Sequence, residues 1–138
     1  MTKFISFNFK IIHIIAKSIM IFINLGFDNM EKVCDISDVS KGSISGFTVK
    51  GHFVLIANVE GTFYAVDAVC PHEGGYLPTG DLKDNIIVCP VHGAQFDVTN
   101  GKLLKDVSRV VKMATGRGAS DLNSYVLSEE DGSLSIDI

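Results

Sequence analysis

The chain has 138 residues and a mass of 14.9 kDa; 46% of it is hydrophobic, 20% is charged, and the formal net charge is −4. This composition fits one buried core and excludes wholesale disorder and a large multidomain enzyme. Residues 31–138 hold nine basic and fifteen acidic residues, a formal net of −6 with no basic stripe, so nucleic acid is not an expected partner.

Residues 1–29 read as an apolar extension, distinct from a domain over residues 30–138. Residues 4–27 are rich in Ile and Phe, but Lys10, His13 and Lys17 interrupt them. The longest stretch without a formal charge, residues 18–27, is shorter than the ~20 residues a spanning helix needs. The segment lacks the charge placement and small-residue cleavage site of a signal peptide, and it has no twin-Arg pair. Three readings stay open: an upstream translation with Met30 as the true start, an amphipathic membrane anchor with Lys3, Lys10 and Lys17 near one helical face, or a true span. A span would place the N-terminus inside and the domain outside. With no visible export route for a folded metalloprotein and no disulfide framework, a cytoplasmic protein is expected, and association with the cytoplasmic membrane stays open.

The domain begins with short β-branched and aromatic runs. Residues 33–36, 47–49 and 53–59 are strand-like, and Asn58-Val59-Glu60-Gly61 turns the last into a strand over 62–66. Cys34 is expected to be a small buried residue on the first strand. Strands over 86–88 and 95–98 follow, Asn100-Gly101 is the strongest hairpin signal, and runs at 125–127 and 134–136 flank a turn at Glu129-Glu130-Asp131-Gly132. With hardly a helical stretch, the expected fold class is all-β: an antiparallel β-sandwich or partly open barrel with a small subdomain of two loops at one end. Residues 114–123 read as a flexible Gly-rich surface loop, or else as a partner-contacting loop carrying Arg117.

The two loops carry the chemistry. Cys70-Pro71-His72 follows one strand and Cys89-Pro90-Val91-His92 follows another, with sixteen residues between His72 and Cys89. Thiolate and imidazole are ligands for zinc and iron, and two short Cys/His pairs on separate loops can close a four-ligand cage. Pro after each Cys fixes φ and removes a backbone donor, while Gly after each His lets the chain return sharply. Unrelated structural cysteines and loop histidines would rarely pair twice in the same order. A closed Cys2His2 zinc cage is the rival, but zinc modules usually combine a Cys-x2-Cys knuckle with a His pair on a helix, a pattern not found here.

Together with Gly74-Gly75-Tyr76-Leu77 and Gly80-Asp81-Leu82 between the loops, and Phe96-Asp97 and Asn100-Gly101-Lys102 after them, these residues resemble the Rieske [2Fe–2S] proteins over about residues 31–138. The resemblance implies one [2Fe–2S] cluster per chain, with Cys70 and Cys89 on one iron and His72 and His92 on the other. Two ferric and two sulfide ions sum to about +2, so two thiolates with neutral imidazoles leave the oxidised cluster near zero charge, against about −2 with four thiolates. Rieske centres accordingly span roughly −150 to +300 mV. Quinol-oxidising members typically carry a Ser after the second-loop Gly, a Tyr shortly beyond, and an extra Cys in each loop. Here Ala94 and Phe96 stand in those places and neither loop has a second Cys, which points to the low part of the range. Many relatives run a Pro-containing segment past the cluster at residues 114–123, whereas this chain has no Pro after Pro90.

Rieske oxygenase subunits append a long domain with a two-His, one-carboxylate iron site, and no His follows His92 here. The resemblance therefore implies an electron carrier and not an enzyme: a ferredoxin that takes one electron from a flavin reductase and gives it to an oxygenase or similar redox enzyme. Docking would be transient, the acidic balance favouring on-rate at a basic patch of the partner. His72 and His92 are expected to protrude at the loop tips. Kept beside this are a membrane-anchored quinol-oxidising Rieske subunit, a zinc-stabilised interaction module, and a redox sensor or small reductase subunit with the same cluster.

Overall fold

The computed structural model describes residues 29–138, so the three readings of the N-terminal extension lie outside the described residues. Among the described residues no helix is long and apolar enough to cross a membrane. Among the described residues eleven strands form three antiparallel sheets, none closed into a barrel, beside one short α-helix.

The central sheet is built from β2 (Ile44–Val49), β3 (His52–Val59), β4 (Thr62–Asp67) and β9 (Ser124–Tyr125), in that spatial order. Its two hairpins turn on Lys50-Gly51 and Glu60-Gly61, all four residues at positive φ, the twist that matches flanking strands in two-residue turns. β3 is buried on both faces. Val54 and Ile56 point into a core shared with Cys34, Val39, Leu134 and Ile136, while Leu55 and Ala57 point into a second core with Leu77, Ile87, Phe96 and Val98. The first core lies under the terminal sheet, β1 (Met30–Asp35), β11 (Ser133–Asp137) and β10 (Leu127–Glu130), whose last hairpin turns on Asp131-Gly132. Cys34 is buried there as expected, and burial pushes its thiol up to about 11.

The third sheet carries the two loops of the expected small subdomain and adds two strands to those read from the sequence. It has four strands, β5 (Asp81–Lys83), β6 (Ile86–Val88), β7 (Gln95–Asp97) and β8 (Leu103–Lys105), in sequential order. β5 (Asp-Leu-Lys) and β8 (Leu-Leu-Lys) have none of the β-branched or aromatic residues that mark β6 and β7, so they do not stand out in sequence. The whole unit is an insertion between the neighbouring strands β4 and β9. Its ends are tied where it leaves and re-enters: Asp67 N–H donates to the Asn123 carbonyl at 3.0 Å, Asn123 N–H to Asp67 Oδ2 at 2.8 Å, and Tyr125 Oη to Asp67 Oδ1 at 2.6 Å. Burial, then the Asp67 carboxylate, push the Tyr125 hydroxyl up to about 12, so it stays a donor at every ordinary pH.

Residues 114–123 are not the loose loop the Gly content suggested. The helix α1 (Arg109–Thr115) runs into this segment, capped by Ser108, whose Oγ accepts from Val111 N–H at 3.3 Å, and ended by Gly116 at φ 76°. Asp106 staples both flanks. Its Oδ1 accepts from Val107 N–H and from Ala119 N–H, both at 2.8 Å, and its Oδ2 pairs with Lys112 in the middle of the helix. A Cβ on Gly118 would sit 2.6 Å from Asp106 Oδ2, so the returning chain is pressed against the carboxylate.

The Lys112 ammonium, then the Ala119 amide, hold the Asp106 carboxyl down at about 2, below its ordinary 3.8. Depression of an acid in the folded state stabilises above the unfolded value and is lost as pH falls toward the folded one. Asp106→Asn is therefore expected to be less stable than the parent in urea unfolding at pH 7, with the gap closing between about pH 4 and pH 2. A gap that persists at pH 2 would show that the side chain acts through packing alone.

Candidate metal centre

The two loops are built on one hydrogen-bond plan. In the first, Cys70 N–H donates to the Gly75 carbonyl at 2.8 Å and Gly74 N–H donates back to the Cys70 carbonyl at 3.0 Å. In the second, Cys89 N–H donates to the Ala94 carbonyl at 2.8 Å and Gly93 N–H to the Cys89 carbonyl at 3.0 Å. Gly74 and Gly93, each four residues after the Cys, both sit at φ 76°, where a side chain would strain the backbone. Sequence spacing alone had suggested matched loops, and the match extends to each backbone bond. The loops differ in the offset of the histidine, His72 two after its Cys and His92 three after.

Two further glycines press the loops together. A Cβ on Gly75 would lie 2.7 Å from Cys89 Sγ and 2.8 Å from Val91 Cγ2. One on Gly80 would lie 2.1 Å from the Val88 carbonyl oxygen, immediately before Cys89. Tyr76 meanwhile lies over β2, where a Cβ on Gly46 would meet its hydroxyl at 2.0 Å. These contacts give physical reasons for the glycines that accompany the Cys/His pairs in the sequence.

Like donors are brought to like. Cys70 and Cys89 are both buried and within hydrogen-bonding reach of each other. The His72 and His92 rings lie edge to face, with centroids 5.0 Å apart and planes at 75°. Among the described residues no three His, Cys, Asp or Glu side chains are grouped closely enough to hold a single ion. Two sulfurs side by side and two imidazoles side by side suit a core with two metal positions better than one tetrahedral ion.

The atoms left over fit such a core. His92 Nδ1 is buried and has no hydrogen-bond partner among the described residues, a costly state for a ring nitrogen that a metal bond would relieve. His72 Nε2 lies 2.9 Å from Thr115 Oγ1. That hydroxyl has one proton, and the carbonyls of Val111 (2.9 Å) and Arg117 (3.0 Å) compete for it. Toward His72 it accepts, so Nε2 carries the ring proton and Nδ1 keeps the lone pair a metal needs. Burial pushes the Cys70 thiol up to about 11; backbone N–H groups of His72 and Glu73 oppose this, and the neighbouring Cys89 adds to it. A thiolate in that place needs a cation in contact, which is what iron provides.

The expectation that both histidines protrude is corrected for His72. It is only 1% exposed, because the C-terminal end of α1 lies on it through Thr115, and Arg117 Nε reaches Glu73 at 3.5 Å beside it. His92 is half-buried, and the exposed tip of its loop is Pro90 with Val91. Thr115 was not identified from sequence, although Ser108 before and Gly116 after the run Arg109–Thr115 are a start and stop signal for a helix.

The Rieske [2Fe-2S] domain model matches residues 29–115, the span that contains both loops and α1. The chain belongs to that family. Its Rieske domain is 39% identical over 69 residues to the ferredoxin component of the naphthalene 1,2-dioxygenase system of Pseudomonas putida, covering 50% of this chain and 66% of that protein. The chain thus spans a little less than two thirds of that curated relative. Among solved structures it is similar to a chain in the complex of reduced oxygenase and oxidized ferredoxin in carbazole 1,9a-dioxygenase, with a TM-score of 0.66 and 25% identity over 79% of this chain and 93% of that one. The fold is also that of the Sphingomonas yanoikuyae B1 ferredoxin, TM-score 0.67 at 24% identity, covering 80% and 99% of the two chains. Proteins of this family carry a [2Fe–2S] cluster.

Gly75→Ala is expected to lower the iron content of the purified Rieske domain well below that of the parent, because the new methyl displaces Cys89 Sγ. Gly42→Ala, at a turn with open space around it, is the control for strain alone and keeps its iron. Equal iron and visible absorbance in the two variants would show that the loops yield without cost.

Proposed function

We propose that the protein is a one-electron carrier of the Rieske ferredoxin type, in which Cys70, His72, Cys89 and His92 hold one [2Fe–2S] cluster within a domain over residues 30–138, residues 1–29 being an extension outside it. The observation that carries this reading is the side-by-side placement of thiol with thiol and imidazole with imidazole, with His92 Nδ1 left unpartnered. When bound, the cluster supplies a one-electron couple. The chain supplies its seat: two sulfurs in an apolar interior, two imidazoles side by side with His72 buried and His92 half-buried, and Thr115 holding His72 in one tautomer. Nothing in this arrangement asks for substrate chemistry of its own, so the protein is read as a carrier and not an enzyme.

The relatives support the place of such a carrier. They are named as ferredoxin components of oxygenase systems, and one structural relative was solved with an oxygenase. On this reading a flavin reductase is the donor, an oxygenase or similar redox enzyme the acceptor and the setting cytoplasmic, and the likeness supports the oxygenase as partner. Ala94 and Phe96 are both fully buried where quinol-oxidising members carry hydroxyls, which favours a low potential.

Low-temperature EPR on the full chain, before and after dithionite, with iron and zinc measured on the same sample, tests the reading. A reduced spectrum of low average g value at about two irons per chain is expected for mixed His/Cys ligation. A silent, colourless protein with one zinc would establish the interaction module instead. Ala94→Ser is expected to raise the potential by roughly 40 mV, the equivalent of a ~1 kcal/mol hydrogen bond that favours the reduced sulfur. An unchanged potential in a variant that keeps its iron would mean the hydroxyl points away from the cluster.

A further inference from the structure

Net charge and local charge disagree at the cluster end of the molecule. Five of the nine basic residues in 31–138 fall within residues 102–117, beside a single acid, Asp106. Lys102 pairs with Asp121, Lys112 with Asp106 and Arg117 with Glu73. Lys105 and Arg109 are exposed and have no ion-pair partner among the described residues. Arg109 opens α1, whose other end, Thr115, lies on His72 at the cluster seat. Val111 packs inward against the second core, while Val110 and Met113 stand outward at 76% and 85% exposure. Two large apolar side chains three apart on one helix, this exposed, are not covered by anything in the described fold.

The position of this face gives it a use. α1 ends on Thr115, which holds His72, and a helix of seven residues is about 10 Å long, so Arg109 at its other end lies on the order of one to two Debye lengths from the imidazole pair at ordinary salt. A partner that exchanges electrons through His72 must come against α1, whereas His92 can be approached beside the helix. Resting on the carrier reading above, we propose that α1 is the docking face for the redox partner. That partner presents acidic residues around an apolar centre, the opposite sign from the basic patch the chain's overall acidity suggests. Val110 and Met113 fill the centre of the contact; Lys105 and Arg109 set its charge at the edge and steer the approach.

Small and large redox probes of opposite charge read that local sign without the natural partner. The full chain, loaded to two irons and reduced, is mixed in a stopped-flow instrument with hexacyanoferrate(III), an anion, or with cytochrome c, a basic protein; each accepts one electron per molecule from the reduced cluster. With hexacyanoferrate(III) the second-order rate constant is expected to fall as salt rises from about 20 to 200 mM, the mark of attraction despite the net negative charge. The double variant Lys105→Glu, Arg109→Glu, with its EPR spectrum and iron content unchanged, is expected to slow that reaction about tenfold at low salt, invert its salt dependence, and speed cytochrome c reduction. A rate that rises with salt in the parent, or a double variant that reacts like the parent with both probes, overturns the proposal. Sedimentation of the same samples should show a monomer; a dimer dispersed by Met113→Glu would assign the face to a second copy, and pelleting with phosphatidylglycerol vesicles that Arg109→Glu abolishes would assign it to a membrane, and either overturns it. A chain that carries no iron cluster fails instead at the EPR step, which separates failure of the carrier reading from failure of the docking face.

Discussion

Two buried thiols held side by side are the constraint on which this end of the molecule depends. Sulfur atoms in that position ionise only against local positive charge, since the apolar interior and each other's proximity both oppose it. The fold prepares for that charge before any metal arrives. Backbone N–H groups of His72 and Glu73 are directed at Cys70, Pro71 and Pro90 remove donors that would have no partner at the tips, and Gly75 lets the first loop touch Cys89 itself. The small four-stranded sheet then has one task, to fix the spacing of the loop bases at Cys70 and Cys89. It does so as an insertion between two paired strands of the central sheet, whose strand β3 is buried on both faces.

The two histidines share a role in the ligand set but not an environment. His92 keeps an open side next to Pro90 and Val91, whereas His72 is closed over by α1 and has its outer nitrogen committed to Thr115. A proton on His72 Nε2 is thus held by a hydroxyl that itself donates into the helix backbone, and the tautomer follows from the count of protons available to Thr115. Electronic contact with a partner is correspondingly biased: direct approach is open at His92, and approach to His72 passes across the helix.

Most of the strand positions and the four candidate ligands were legible because they rest on local rules. Glu60-Gly61, Asp131-Gly132 and Asn100-Gly101 announce their turns through residues suited to positive φ, and the alternating Val54, Leu55, Ile56 and Ala57 mark a strand buried on both sides. The Cys/His pairs are visible because metal chemistry admits few residue types. What stayed hidden depends on contacts distant in sequence. The strands β5 and β8 are three residues each and exist because β6 and β7 offer them edges. Helix α1 has readable caps, yet its Gly-rich continuation concealed that Asp106 reaches forward thirteen residues to Ala119 and turns an apparent loop into a braced element. No local pattern says that Thr115, forty-three residues after His72, will lie against it.

That hidden contact changes what the charge composition means. A formal net of −6 over residues 31–138 describes the far field, which governs solubility and behaviour at separations beyond the Debye length. Docking is decided closer in. There the charges to count are those of Lys105, Asp106, Arg109, Lys112, Arg117 and Glu73, four positive and two negative, and the acids that dominate the total lie mostly on other strands and turns. A partner at long range therefore meets an acidic protein and at short range a basic edge around two apolar side chains. The far field weakly repels an acidic partner in most orientations, while the near field attracts it in one. On the carrier reading, orientation more than affinity is what electrostatics must supply, because the electron would move only when the histidine side faces the acceptor.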